Sequence, residues 1–181
     1  RRMAVPALGV PDAHFTLGVT GKPNPKVPIA LIAQDTAMQS VESQNIEVVR
    51  KYFDGCNSGN LDELLGTLAP DVVHYFLPSA FPPIKGAEHL AKYWRKYKQT
   101  LDPTWAIDRI IAQGNDVVSE WSCIWTNPAT HKQVMNRGTE WYVMRDAKIL
   151  EVRAYFIASP DTSVELASFP YAARGYLLMK G

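Results

Sequence analysis

The strongest constraint on the fold is the spacing of turns in the second half of the chain. Gly114-Asn115-Asp116, Asn127-Pro128-Ala129-Thr130 and Arg145-Asp146-Ala147 separate four runs, at residues 105–112, 117–126, 133–144 and 148–156. These runs are rich in β-branched and aromatic residues, as strands are. A parallel pair needs a crossover of a dozen or more residues, so connections this short join neighbouring antiparallel strands. The runs therefore predict a continuous meander.

The first half reads differently. Ile46, Val49, Phe53 and Cys56 recur at steps of three and four and make one apolar helix stripe. Asn57-Ser58-Gly59 closes it, with Gly59 suited to a left-handed cap. Asn60 and Glu63 have capping-box spacing and open a short helix, whose buried side is Leu61, Leu64, Leu65 and Leu68. Ala69-Pro70-Asp71 stops that helix, and residues 72–76 read as a strand. Residues 77–86, with Pro78, Pro82 and Pro83, are an irregular loop. A third helix over residues 87–99 turns Leu90, Trp94 and Tyr97 inward. Helices first and strands last predict an α+β fold, with helices on one face of an antiparallel sheet.

Two extensions flank this body. Residues 1–43 hold five of the 13 prolines, all within the first 28 positions, yet also Val10, Phe15, Leu17 and Val27. Proline fixes φ and biases its predecessor toward extended geometry. An extended arm is expected, lying along a surface of the chain itself or of a protein partner. Residues 157–181 form an aromatic-rich tail, with a short helix expected from Ser159 through Ser168. The domain lies between, at residues 44–156.

Composition excludes several functions. Hydrophobic residues make up 46% and charged residues 20%, the balance of a globular chain. Nineteen Lys and Arg against eighteen Asp and Glu leave a net charge of +1, so no nucleic-acid surface is expected. No apolar run approaches the roughly 20 residues of a membrane span. Cys56 and Cys123 are too few for a disulfide framework, and Arg1-Arg2 is not followed by the apolar stretch of a secretory signal. A soluble intracellular or organellar protein is the expectation. No Gly-x-Gly-x-x-Gly or Walker loop occurs, and His14, His74, His89 and His131 lack metal-ligand spacing, so neither cofactor nor metal is expected.

Three segments carry a family resemblance. Residues 48–53 with Asn57-Ser58-Gly59-Asn60-Leu61-Asp62, then Leu68-Ala69-Pro70-Asp71-Val72, resemble the opening of nuclear-transport-factor-2-like domains. Gly138-Thr139-Glu140-Trp141-Tyr142-Val143 with residues 148–156 resembles their closing hairpin. The resemblance spans residues 44–156 and is greatest to the polyketide-cyclase-like (SnoaL-like) and ketosteroid-isomerase-like branches. It implies a cone: a cystatin-like roll in which a strongly curved antiparallel sheet wraps the first helix and opens on an apolar pocket. It also implies a homodimer and a small hydrophobic ligand.

The same resemblance suggests site residues. Tyr52 matches the isomerases' oxyanion-hole tyrosine, or else simply packs beside Val49 and Phe53. Phe76 stands where the isomerases carry a general-base aspartate. His74 lies two residues earlier on the same strand face, as an acid/base or as a satisfied core histidine. Glu140 falls on or beside the position of their protonated acid, or forms a rim salt bridge with Arg137, Arg153 or Lys132. Ile157 stands near the position where the cyclases often place an aspartate. Trp121 and Trp125 share strand parity; with Phe76, Trp94, Tyr142, Val152 and Phe156 they are expected to line the pocket, although such rings also fill interiors.

Two functions follow. One is a cofactor-independent acid/base enzyme of isomerase, dehydratase, cyclase or hydrolase type, with Tyr52 as hydrogen-bond donor, His74 as base and Glu140 as acid or orienting group. The other is a non-catalytic ligand-binding or structural subunit that docks through its arm and tail. Convergence of Tyr52, His74 and Glu140 on one open pocket separates the two.

Overall fold

In the computed structural model, residues 29–77, 81–157, 159 and 161–179 are described. The first helix, α1 (Ile29–Ser58), buries Val49, Tyr52, Phe53 and Cys56 on one side of its 3.6-residue repeat. Its start corrects the expected arm: residues 29–43 are helical, not extended. The physical reason is visible in the sequence. Pro28 is the last arm proline and none follows until Pro70, so nothing in the backbone chemistry opposes a helix from Ile29 onward. The rest of the arm, residues 1–28, lies outside the described residues, and so does the partner surface expected of it.

Helix α1 ends as its sequence requires. Gly59 adopts φ 70°, and its N–H bonds to the Gly55 carbonyl at 2.9 Å. Helix α2 (Leu61–Thr67) follows at once, with the Asn60 side chain accepting from the N–H groups of Asp62 and Glu63. The Glu63 carboxylate does not reach back to Asn60; it accepts from Ser58 Oγ at 2.7 Å. Only Leu64 of the expected apolar side is fully buried. Leu65 is exposed, and Leu68 already belongs to the next strand. A helix of seven residues presents one narrow face, and Leu64 fills it against Gly55 of α1.

Strand β1 (Leu68–Phe76) therefore begins earlier than expected and runs through Pro70. Its pairing slips between Leu68 and Val73, an irregularity that accommodates a residue unable to donate to the ladder. The remaining elements are β2 (Ile84–Lys85), α3 (Ala87–Leu101), β3 (Thr104–Gln113), β4 (Asp116–Thr126), β5 (Gln133–Arg145) and β6 (Lys148–Phe156). The sheet order is β2-β1-β6-β5-β4-β3. Strands β3 to β6 form the expected antiparallel meander.

Two features correct the expected architecture. Strand β1 pairs with β6 in parallel, with Val73 opposite Glu151 and His74 opposite Val152, so the sheet is mixed. The chain between them is long enough for the crossover that a parallel pair needs. The sheet is also open, with β2 and β3 as its edges, and wraps the helices only partly.

The tail supplies a third correction. Residues 161–168 form no helix, and the only helical turn of the described tail is a short 3-10 turn at Ala172–Arg174. Its polar groups are engaged by the sheet instead. Met135 N–H donates to Ser163 Oγ at 2.9 Å, and Arg137 pairs with Glu165 at 2.6 Å. The tail lies on the outer face of β3–β5 and buries Met135 there. Among the described residues no helix is long and apolar enough to cross a membrane.

Candidate functional site

The inner face of the sheet is written by strand parity. Trp121 and Trp125 of β4, Asn136 and Glu140 of β5, Ala154 and Phe156 of β6 and Phe76 of β1 all face inward. Helix α3 adds Tyr93, Trp94, Tyr97 and Leu101 from above, at the spacing of one helix face. Trp105 and Phe81 complete a cavity of about 360 Å³ whose wall is largely aromatic.

Two local devices hold this wall. Asn57, at the end of α1, donates from Nδ2 to the Trp105 carbonyl at 3.0 Å and accepts from Trp105 N–H at 2.7 Å. This pair of hydrogen bonds between amide and backbone fixes the start of β3, where the Trp105 ring centre lies 4.9 Å from that of Trp121. Gly138, opposite both Trp121 and Phe156, leaves the space the Trp121 indole occupies.

Glu140 is the only carboxylate in the cavity lining among the described residues, and it is 5% exposed. Tyr142 donates its hydroxyl to Glu140 Oε2, and Ser119 Oγ lies 3.4 Å from that hydroxyl. His74 Nε2 lies 3.7 Å from Glu140 Oε1. His74 is fully buried and stacks on Phe76 at 4.2 Å between centroids. Tyr52 borders a narrow cleft on the other side of Glu140, with Phe53, Cys56, Trp94 and Trp105. Its hydroxyl accepts from Trp94 Nε1 at 2.5 Å.

Burial dominates the titration of these groups. It pushes the Tyr52 hydroxyl well above the ordinary range, and the neighbouring Cys56 and Glu140 add to the shift. Burial likewise raises Tyr142, reinforced by the charge of Glu140, and raises the Cys56 thiol. Tyr142 and Tyr52 therefore stay protonated near neutral pH, and Tyr142 serves Glu140 as a donor.

The three residues singled out for chemistry are thus gathered around one carboxylate, but only Glu140 reaches the main cavity. His74 stands behind it and Tyr52 beside it. Among the described residues Glu140 forms no salt bridge with Arg137, Arg153 or Lys132; Arg137 pairs with Glu165 and Arg153 with Glu151. Phe76, Trp94, Trp121, Trp125 and Phe156 line the cavity. Tyr142 and Val152, expected in the lining, are fully buried behind it, since that part of the inner face packs against α1. Tyr93, Leu101, Phe81 and Ser159 also line the cavity, beyond the residues expected from the sequence. Leu101 continues the Leu90, Trp94, Tyr97 stripe and was within reach of the periodicity. Among the described residues no three His, Cys, Asp or Glu side chains are grouped to hold a metal ion.

Fold and cavity together define an α+β domain with a largely aromatic pocket and one acid at its wall. The SnoaL-like domain family matches residues 49–152, more than half of the chain, and the chain belongs to that family. Among solved structures, it is similar to a protein of unknown function with a cystatin-like fold from Methylobium petroleophilum PM1, at 27% identity and TM-score 0.58, covering 77% of this chain and 94% of that one. It is also similar to an LEH-like epoxide hydrolase from M. tuberculosis, at 21% identity and TM-score 0.57, covering 64% and 84%. An NTF2-like protein from Burkholderia xenovorans LB400 matches at 17% identity and TM-score 0.54, covering 64% and 91%. The latter two likenesses are of fold alone. Comparison with curated proteins returned no match.

Proposed function

We propose that this domain binds a small hydrophobic molecule in the aromatic cavity and transfers a proton to or from it without a cofactor. The observation that carries this reading is the placement of Glu140. One carboxylate borders a largely aromatic cavity, and a buried hydroxyl and a buried imidazole stand behind it. A carboxyl group so placed can shuttle a proton, because the apolar wall keeps competing water away. Tyr142 holds its orientation by donating to Oε2, and His74 acts through Glu140 rather than on the ligand. Tyr52, turned toward Trp94, shapes the adjoining cleft.

Isomerisation, dehydration, cyclisation and epoxide or ester opening all need this acid/base group. The test is proton exchange. Small ketones, esters and epoxides are incubated with the protein in deuterated water and followed by NMR. Native protein is expected to catalyse exchange or opening of at least one class, and Glu140→Gln to bind the same compound with turnover reduced at least about a hundredfold. Equal turnover by Glu140→Gln removes the acid/base role. Binding without any turnover leaves the non-catalytic reading, which the distance of His74 and Tyr52 from the main cavity favours.

The same reading includes a homodimer. Tyr75, Arg153, Trp141, Val118 and Ile111 lie opposite one another in successive strands and form an outward row beside the tail. Tyr75, Trp141 and Ile111 are exposed on it. Sedimentation is expected to give twice the 20.2 kDa chain mass, reduced to one by Trp141→Glu.

A further inference from the structure

The five tryptophans fall into two groups. Trp94 Nε1 donates to Tyr52 Oη at 2.5 Å, and Trp141 Nε1 donates to Asp116 Oδ1 at 2.9 Å. The indole N–H groups of Trp105, Trp121 and Trp125 have no partner among the described residues and are shut off from solvent. These three rings all line the cavity. So does Asn136, which is 8% exposed and whose Oδ1 is equally unmet. An unmet buried donor or acceptor carries its full desolvation penalty, and native folds rarely collect several side by side. Among the described residues, four of the seven unmet buried side-chain atoms belong to side chains that line one cavity.

We propose that these groups form an oxygen-reading subsite. The ligand is a flat ring compound whose carbonyl oxygen accepts from the indole N–H groups of Trp105, Trp121 or Trp125, with a hydroxyl that donates to Asn136 Oδ1. Flatness follows from the walls, which are ring faces and edges on the sheet side and the α3 side alike. A bare hydrocarbon would fill the same space and leave every one of these groups unmet. In this structure the four atoms are covered, so the indoles must turn toward the cavity of about 360 Å³ as the ligand enters. This inference rests on the cavity being the ligand site, and it adds the chemistry that the ligand carries.

A matched pair of probes tests it. Fluorenone and fluorene share one outline, but only fluorenone carries a carbonyl oxygen. Each is titrated into the full chain, with affinity read by calorimetry and the five indole N–H signals read by nitrogen-edited NMR, assigned with single Trp→Phe variants. Fluorenone is expected to bind at least about tenfold more tightly, the worth of one neutral hydrogen bond. It is expected to move at least one signal of Trp105, Trp121 and Trp125 downfield beyond its position with fluorene, while Trp94 and Trp141 respond alike to both. Trp125→Phe or Trp105→Phe, which keep a ring in the wall, should lower the affinity for fluorenone by a larger factor than that for fluorene. Equal affinities with equal indole shifts overturn the subsite and leave the cavity reading standing. Binding of neither probe overturns the cavity reading itself, and the subsite with it.

Discussion

Gly138 stands directly opposite Trp121 in the β4–β5 ladder, and a Cβ at Gly138 would come within 2.5 Å of the indole Cζ2. It would also approach Phe156 Cβ at 2.8 Å. The glycine is therefore a packing requirement: its missing side chain is the space in which the Trp121 ring lies flat against the sheet. Trp121 is 2% exposed and has no free direction except the cavity.

Gly138→Ala is accordingly expected to destabilise the fold by about 1–3 kcal/mol, the usual cost of overpacking a filled interior. The indole should be displaced into the cavity and reduce its capacity for a ring-shaped ligand. Urea unfolding and fluorenone titration measure the two effects. Unchanged stability together with unchanged binding would mean that the Trp121 ring is not held by this contact.

Arg137 makes a second prediction. It donates to Ser122 Oγ at 2.5 Å, to the Leu177 carbonyl at 3.1 Å and to Glu165, and its guanidinium lies 3.8 Å from the Tyr171 ring centre. One side chain of the outer sheet face thus meets the tail at three separate points. Charge-assisted bonds of this kind contribute about 1.5–3 kcal/mol each when made in sheltered surroundings. Arg137→Ala is expected to open the tail locally while the meander stays folded. Trypsin should then cut after Arg174 at least tenfold faster, by the link between local opening and proteolysis. Mass spectrometry of a digestion time course reads the rate, and a rate equal to that of the native chain contradicts the clamp.

How far each of these features could be read in the sequence depends on the range of the forces involved. The meander was legible because strand parity and turn residues act within a few positions, and parity also put Trp121 and Trp125 on one face. Glu140 was legible through the resemblance, but its surroundings were not, since Tyr142 and His74 reach it from two strands and Ser119 of a third stands behind Tyr142. The Asn57–Trp105 clamp joins residues 48 apart and leaves no local signature. The parallel β1–β6 pairing is a choice among sheet edges that no local pattern expresses. The arm departs from the expected extended form after Pro28, where proline chemistry no longer acts, and the tail forms no helix at residues 161–168 because Met135 and Arg137 engage its polar groups.

The buried acids make the last prediction, which concerns alkaline pH. Burial, first among the causes, raises Cys56, Tyr52 and Tyr142 in the folded state, with the Glu140 charge adding to each. In the unfolded chain these groups return to ordinary values, 9.0 for the thiol and 10.0 for the phenols. As pH rises past those values the unfolded state loses protons that the folded state keeps, so the unfolded state gains stability. The sign is therefore fixed: the contribution of each group is fully present below its unfolded value and is lost as pH rises toward its folded value. Stability should be level from about pH 7.5 to 8.5, then fall by about 1.4 kcal/mol per pH unit for each titrating group. Urea unfolding at stepped pH measures the curve. Tyr142→Phe, although weaker overall for want of its bond to Glu140, should lose one group's share of the slope above pH 10.0, and Cys56→Ala one share above pH 9.0. Slopes identical to those of the native chain in both variants would show that these side chains ionise in the folded protein as readily as in the unfolded one, against their burial.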